Sequence, residues 1–178
     1  MKRSLNEIGG MVLKAARGAG VPLGHCEDLA AAAVYLAGTD PGRLGAVLDA
    51  LAGPYKVADA QWSTVVLDCP NARMIMAGPV AADALAAGVE RVVLRDLDVP
   101  RLMLALCAAR GLVVDHHFKG ADLHLVLTQG TPPRLTAQAA TVSDQLWIQL
   151  SDLASKTYVP ATEASRLSGA GAGLNDND

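Results

Sequence analysis

Leu5, Ile8, Val12 and Ala15 or Ala16 recur at the spacing of one helix face, so residues 4–18 predict an amphipathic helix. Ser4 stands just before that face and Glu7 follows three residues later, the spacing of a capping box. Gly18, Gly20 and Pro22 end the pattern, because glycine admits left-handed backbone and proline cannot continue the hydrogen-bond ladder. Further helices are expected over residues 25–37 and 41–52, the latter stopped by Gly53-Pro54. The texture then changes. Short apolar runs at 63–67, 73–77 and 89–94 predict strands. They alternate with helices at 79–87, closed by Gly88, and at 100–110, opened by Pro100 in the favoured first-turn position and closed by Gly111.

Residues 112–118, 122–128 and 134–142 form three strand candidates joined by short turns at Lys119-Gly120 and 130–133. In the middle one Leu123, Leu125 and Leu127 face one side, and Asp122, His124 and Val126 the other. An antiparallel meander is expected. A last helix over 143–155 carries Leu146, Trp147, Leu150 and Leu153 on one face and is capped by Ser143 or Asp144. The whole pattern predicts a mixed α/β fold: N-terminal helices, a layered strand and helix core, a three-strand meander, and a C-terminal helix followed by a Gly-rich tail. One domain over 1–178 is expected, with a helical part at 1–53, an α/β core at 63–155 and a docking segment at 156–178.

Composition narrows the class. Of the 178 residues 51% are hydrophobic, but alanine supplies much of that share and no apolar run approaches the roughly 20 residues of a membrane-spanning helix. No membrane association and no secretory leader are expected. The three cysteines, Cys26, Cys69 and Cys107, are far apart and lack metal-ligand spacing, which fits reduced thiols in a cytoplasmic protein. A net charge of −3, 3% aromatics and no basic run argue against nucleic-acid binding.

Two stretches carry a resemblance. Residues 14–22 read Lys-Ala-Ala-Arg-Gly-Ala-Gly-Val-Pro, with Gly24, Glu27 and Asp28 following. Residues 157–166 read Thr-Tyr-Val-Pro-Ala-Thr-Glu-Ala-Ser-Arg, followed by Gly169-Ala170-Gly171-Ala172-Gly173 and Asp176-Asn177-Asp178. Together they resemble a bacterial family of uncharacterised proteins, domain of unknown function 3726. The chain departs from that family's pattern at Leu23 and at His25-Cys26. The resemblance implies no particular activity.

Three groups of residues could carry chemistry. The first is the C-terminal segment. Gly169, Gly171 and Gly173 let backbone N–H groups approach an anion, Arg166 offers a planar donor fork, and Tyr158, Thr162 and Ser165 add hydroxyls. The competing reading is a segment that packs across the domain or a neighbouring subunit. The second is the hairpin face with Asp115, His117, Asp122 and His124, two imidazoles and two carboxylates suited to a divalent metal. A polar, solvent-facing strand side has the same composition. The third is His25-Cys26 at a helix start, a thiol with an adjacent base. Asp83, Asp96 and Asp98 lie near strand ends, where layered folds place sites.

No nucleophile elbow, metalloprotease helix or phosphate loop occurs. The leading expectation is therefore an accessory protein, a homo-oligomer or a subunit of a larger assembly acting through its C-terminal segment. The alternative is a protein or enzyme that takes a small anionic metabolite near Arg166, with or without a metal.

Overall fold

The computed structural model describes residues 1–56 and 59–157. Strand β1 (Lys2–Ser4) leads directly into helix α1 (Leu5–Gly18). The Glu7 N–H donates to Ser4 Oγ at 3.2 Å and the Ser4 N–H donates to Glu7 Oε2 at 2.8 Å, the reciprocal bonds of the expected capping box. These bonds, the backbone one foremost, hold the Glu7 carboxyl below its ordinary value of 4.5. Gly20 at φ +86° turns the chain into α2 (Leu23–Thr39). A 3-10 turn (Pro41–Arg43) and the short α3 (Ala46–Ala50) stand where one helix over 41–52 is expected.

Strands β2 (Gln61–Trp62), β3 (Val66–Cys69), β4 (Arg91–Leu94), β5 (Val113–Lys119) and β6 (Asp122–Thr128) form a five-stranded sheet in the order β2-β3-β4-β6-β5. β3 and β4 run parallel, joined through α4 (Met74–Ala86), and the other pairs are antiparallel. Helix α5 (Pro100–Ala109) joins β4 to the β5–β6 hairpin, and α4 and α5 both pack on the sheet. Behind them α2 packs on α5, α1 on α2, and α6 (Asp144–Ser155) on α1. Nearly all the buried apolar residues of sheet and helices form one connected core. Arg110 at the end of α5 bolts this stack: its Nε and Nη2 donate to Asp28 Oδ1 on α2, and its Nη1 to Asp83 on α4.

The mixed α/β class is as expected, with three corrections inside it. Residues 73–77 are not a strand. Met74–Ala77 form the first turns of α4, which continues through Pro79. Every residue from Met74 to Pro79 is buried, so the run shows no polar face by which to recognise a helix. The strand expected at 63–67 moves to Val66–Cys69, because Ser63 Oγ accepts the N–H groups of Val65 and Val66 and makes a turn there. Residues 134–142 do not join the meander. Pro132 and Pro133 precede them, and the chain crosses α2, where Tyr35 Oη donates to the Pro133 carbonyl at 3.0 Å. Only β7 (Ala139–Thr141) is a strand there, and it pairs antiparallel with β1 in a separate two-stranded sheet. The third antiparallel strand beside the hairpin is β4.

Candidate functional site

The carboxyl ends of the parallel strands β3 and β4 are drawn together by backbone bonds. Arg95 N donates to Cys69 O at 2.9 Å and Ala72 N to Arg95 O at 2.7 Å. Helix α4 begins after Arg73, whose side chain cannot cap it. The cap comes from Asp98, whose Oδ1 accepts the Met74 N–H at 2.7 Å and the Val99 N–H at 2.9 Å. Asp98 Oδ2 lies 3.2 Å from Arg73 Nε, an ion contact too bent to be a hydrogen bond. One carboxylate thus fixes the starts of α4 and α5 against each other. Pro100 occupies the first turn of α5, where its missing N–H costs nothing.

A cleft of about 670 Å³ opens at this end of the molecule, between the 41–50 segment, the start of α5 and the inner side of β5. Sites for small molecules span roughly 300–1,000 Å³. Arg43, Arg101, Asp49, Leu104, His116 and Phe118 line it. His116 meets Phe118 edge to face, with ring centroids 6.3 Å apart. Arg101 contacts Asp40 at 3.8 Å, and Arg43 is in no ion pair among the described residues. Asp98 reaches the wall with both oxygens already engaged, so the guanidinium groups, the His116 imidazole and the Asp49 carboxylate supply the available polar chemistry.

The hairpin has the register that places Asp115, His117, Asp122 and His124 on one face. His117 and His124 sit directly opposite and stack at 4.7 Å with planes 13° apart. Asp122, however, has both oxygens committed elsewhere, and Asp115 has one. Asp122 Oδ2 accepts from Arg95 Nη1 at 3.2 Å and its Oδ1 from the Asp96 N–H. Asp115 Oδ1 accepts the His116 N–H at 2.9 Å. Among the described residues no group of three or more His, Cys, Asp or Glu is placed to hold a metal ion. The four-ligand set is therefore not assembled. Arg95 instead uses the face as a clamp, binding both oxygens of Asp68 on β3 as well as Asp122.

Desolvation, and after it the neighbouring His117 charge, hold the His124 imidazole below its ordinary value of 6.5. The unfolded chain therefore takes this proton first as the pH falls. The associated stability is complete above 6.5 and is lost as the pH drops through the lower, folded value. Urea midpoints taken between about pH 8 and about pH 5 should fall less in His124→Gln than in the unaltered protein. Equal slopes would show that His124 carries none of the acid sensitivity.

The His25-Cys26 pair is not an activated nucleophile. Cys26 is buried, its Sγ donates to Val21 O at 3.3 Å, and burial raises its pKa. Burial likewise pushes Cys69 to about 11 and Cys107 to about 12. All three cysteines are free thiols, protonated near neutrality. Tyr158, Thr162, Ser165, Arg166, Gly169, Gly171 and Gly173 lie outside the described residues. Of the three aspartates expected near strand ends, Asp98 caps α4 and Asp96 takes a left-handed φ of 49°, whereas Asp83 lies inside α4 and holds Arg110.

Sequence reasoning missed Arg43, Asp49, Arg101, His116 and Phe118 as a group. The available signal was positional: Asp98-Val99-Pro100 follows β4 and opens α5, at the carboxyl edge of a parallel pair.

Fold and cleft together define a layered α/β protein with a ligand-sized depression at the carboxyl end of its parallel strands. Residues 3–44, spanning α1, α2 and the turn that carries Arg43, match the model of a family described as "Protein of unknown function (DUF3726)". This is the family that the opening residues resemble. No curated protein and no solved structure matches the chain. No helix among the described residues is long and apolar enough to cross a membrane.

Proposed function

We propose that the chain is a cytoplasmic binding protein for a small organic anion, held in the cleft at the start of α5. The observation that carries this reading is the convergence of Arg43, Arg101 and His116 with the apolar surfaces of Leu104 and Phe118 around one depression. A carboxylate or phosphate would take the guanidinium groups, and its carbon skeleton would cover Leu104 and Phe118. Asp98 already serves the backbone and Arg73, and the thiols are buried and protonated, so the polar groups left to meet a ligand are Arg43, Arg101, His116 and Asp49.

Calorimetric titration with a panel of dicarboxylates, aromatic carboxylates and sugar phosphates tests it. At least one should bind, and Arg101→Ala should weaken that ligand by roughly 1.5–3 kcal/mol, the usual worth of a charged hydrogen bond. That corresponds to roughly a tenfold to hundredfold loss of affinity. Affinity unchanged in both Arg43→Ala and Arg101→Ala would remove the cleft from consideration.

A second reading, assembly through residues 157–178, is supported by how firmly the chain entering that segment is held. The start of that segment follows α6, whose Leu153 backbone lies directly against Gly18 of α1. Removal of residues 167–178 should then change the sedimenting mass and leave the cleft's affinity intact.

A further inference from the structure

The two edges of the five-stranded sheet are unlike. β2 is two residues long, a short edge of the kind that discourages further pairing. β5 at the other edge is seven residues long and pairs with β6 in unbroken one-to-one register, with neither bulge nor proline. Val113 and Val114 at its start are half-buried, while every residue from Asp115 to Lys119 is exposed. Phe118, Val126 and Leu127, two of them on β6 beside it, add exposed apolar surface at the same edge.

The exposed half of β5 is self-complementary. If a second copy pairs antiparallel with His117 opposite its own counterpart, Asp115 faces Lys119 twice, once on each side of the twofold axis. His116 then faces Phe118 twice. Opposite charges and aromatic pairs directly across strands stabilise a ladder, whereas like charges there oppose it. Such an interface uses the same patch on both chains and closes on itself. It also leaves no long free edge.

We infer that the β5 edge joins two copies of this chain into a continuous ten-stranded sheet, with His117 on the twofold axis. The pairing sets the second copy's Phe118 beside His116 at the rim of the cleft, so each cleft gains a wall from its neighbour. This inference goes beyond the ligand-binding reading and does not require it. The ladder engages only residues 115–119 of each copy, against the roughly 20–30 residues a side of a standard interface, so the dimer belongs to the weak, concentration-dependent class.

Sedimentation equilibrium of the full chain from about 1 to about 100 μM tests it. The mass should rise from 18.4 kDa towards twice that value. Asp115→Lys sets lysine against Lys119, and Lys119→Asp sets aspartate against Asp115. Each single variant should stay monomeric across the range, and the double exchange should dimerise again. Circular dichroism melts check that these exposed replacements leave the fold intact. A wild-type chain that is monomeric throughout overturns the inference. So does a dimer that survives both single exchanges, or one abolished only by deleting residues 167–178. None of these outcomes bears on anion affinity measured with the monomer, which separately tests the cleft.

Discussion

Gly18→Ala should destabilise the protein by about 3 kcal/mol, the upper part of the range for an overpacked site. Gly18 ends α1 against the last turns of α6, and a Cβ there would lie 1.8 Å from the Leu153 carbonyl oxygen and 2.8 Å from its carbon. Both are backbone atoms, so no side-chain rotation relieves the contact and α6 must move off α1. The Ser143 cap, whose Oγ accepts the Leu146 N–H at 3.2 Å, and the buried Leu146 and Leu150 resist that movement. Gly10→Ala supplies the control. Gly10 lies in the same helix with nothing within 4 Å of where a Cβ would sit, so alanine should stabilise by up to about 1 kcal/mol through helix propensity. Opposite signs in urea midpoints are expected. Equal, small effects would mean that α1 and α6 are not in contact at that point.

Asp98→Ala should cost about 2–3 kcal/mol, the sum of a lost cap and a partly buried charge left without its partner. The carboxylate serves two backbone donors and Arg73 at once, and its side chain is only 17% exposed. Asp98→Asn keeps an acceptor for the Met74 and Val99 N–H groups but gives up the charge opposite Arg73. Its loss should be clearly smaller than that of alanine. The ranking aspartate, then asparagine, then alanine, read from denaturation midpoints, separates capping from charge pairing. If asparagine and alanine were equal, the ion contact rather than the cap would hold the two helix starts together.

These two sites show what the chain disclosed before folding and what it withheld. Local signals were legible: Ser4 and Glu7 as a capping box, Ser143 as a cap, Gly88 and Gly111 as stops, and the alternation of Leu123, Leu125 and Leu127 against Asp122, His124 and Val126. Each depends on neighbours within a few residues. The shared face of Asp115, His117, Asp122 and His124 follows from the same logic, whereas the turn position that sets His117 opposite His124 rather than Asp122 is fixed only in the folded hairpin. The fate of Asp122 does not follow from that logic, because Arg95 arrives from the turn just after β4. Met74–Ala77 reads as a strand for a related reason. The first turns of α4 are buried on all sides and show no periodicity, and their cap sits 24 residues away at Asp98. The third strand was misplaced because the choice between β4 and residues 134–142 is one of tertiary packing. The cleft was invisible as a unit, since Arg43, Arg101 and His116 come from three elements that meet only in the folded chain.

The most direct test of the binding claim is a crystal structure of the protein with whichever carboxylate or phosphate binds most tightly in the calorimetric panel. Density for the anion between Arg43 and Arg101, with its carbon skeleton over Leu104 and Phe118, is the predicted result. An anion bound instead at Arg166 and the glycines 169, 171 and 173, with the cleft empty, would contradict it.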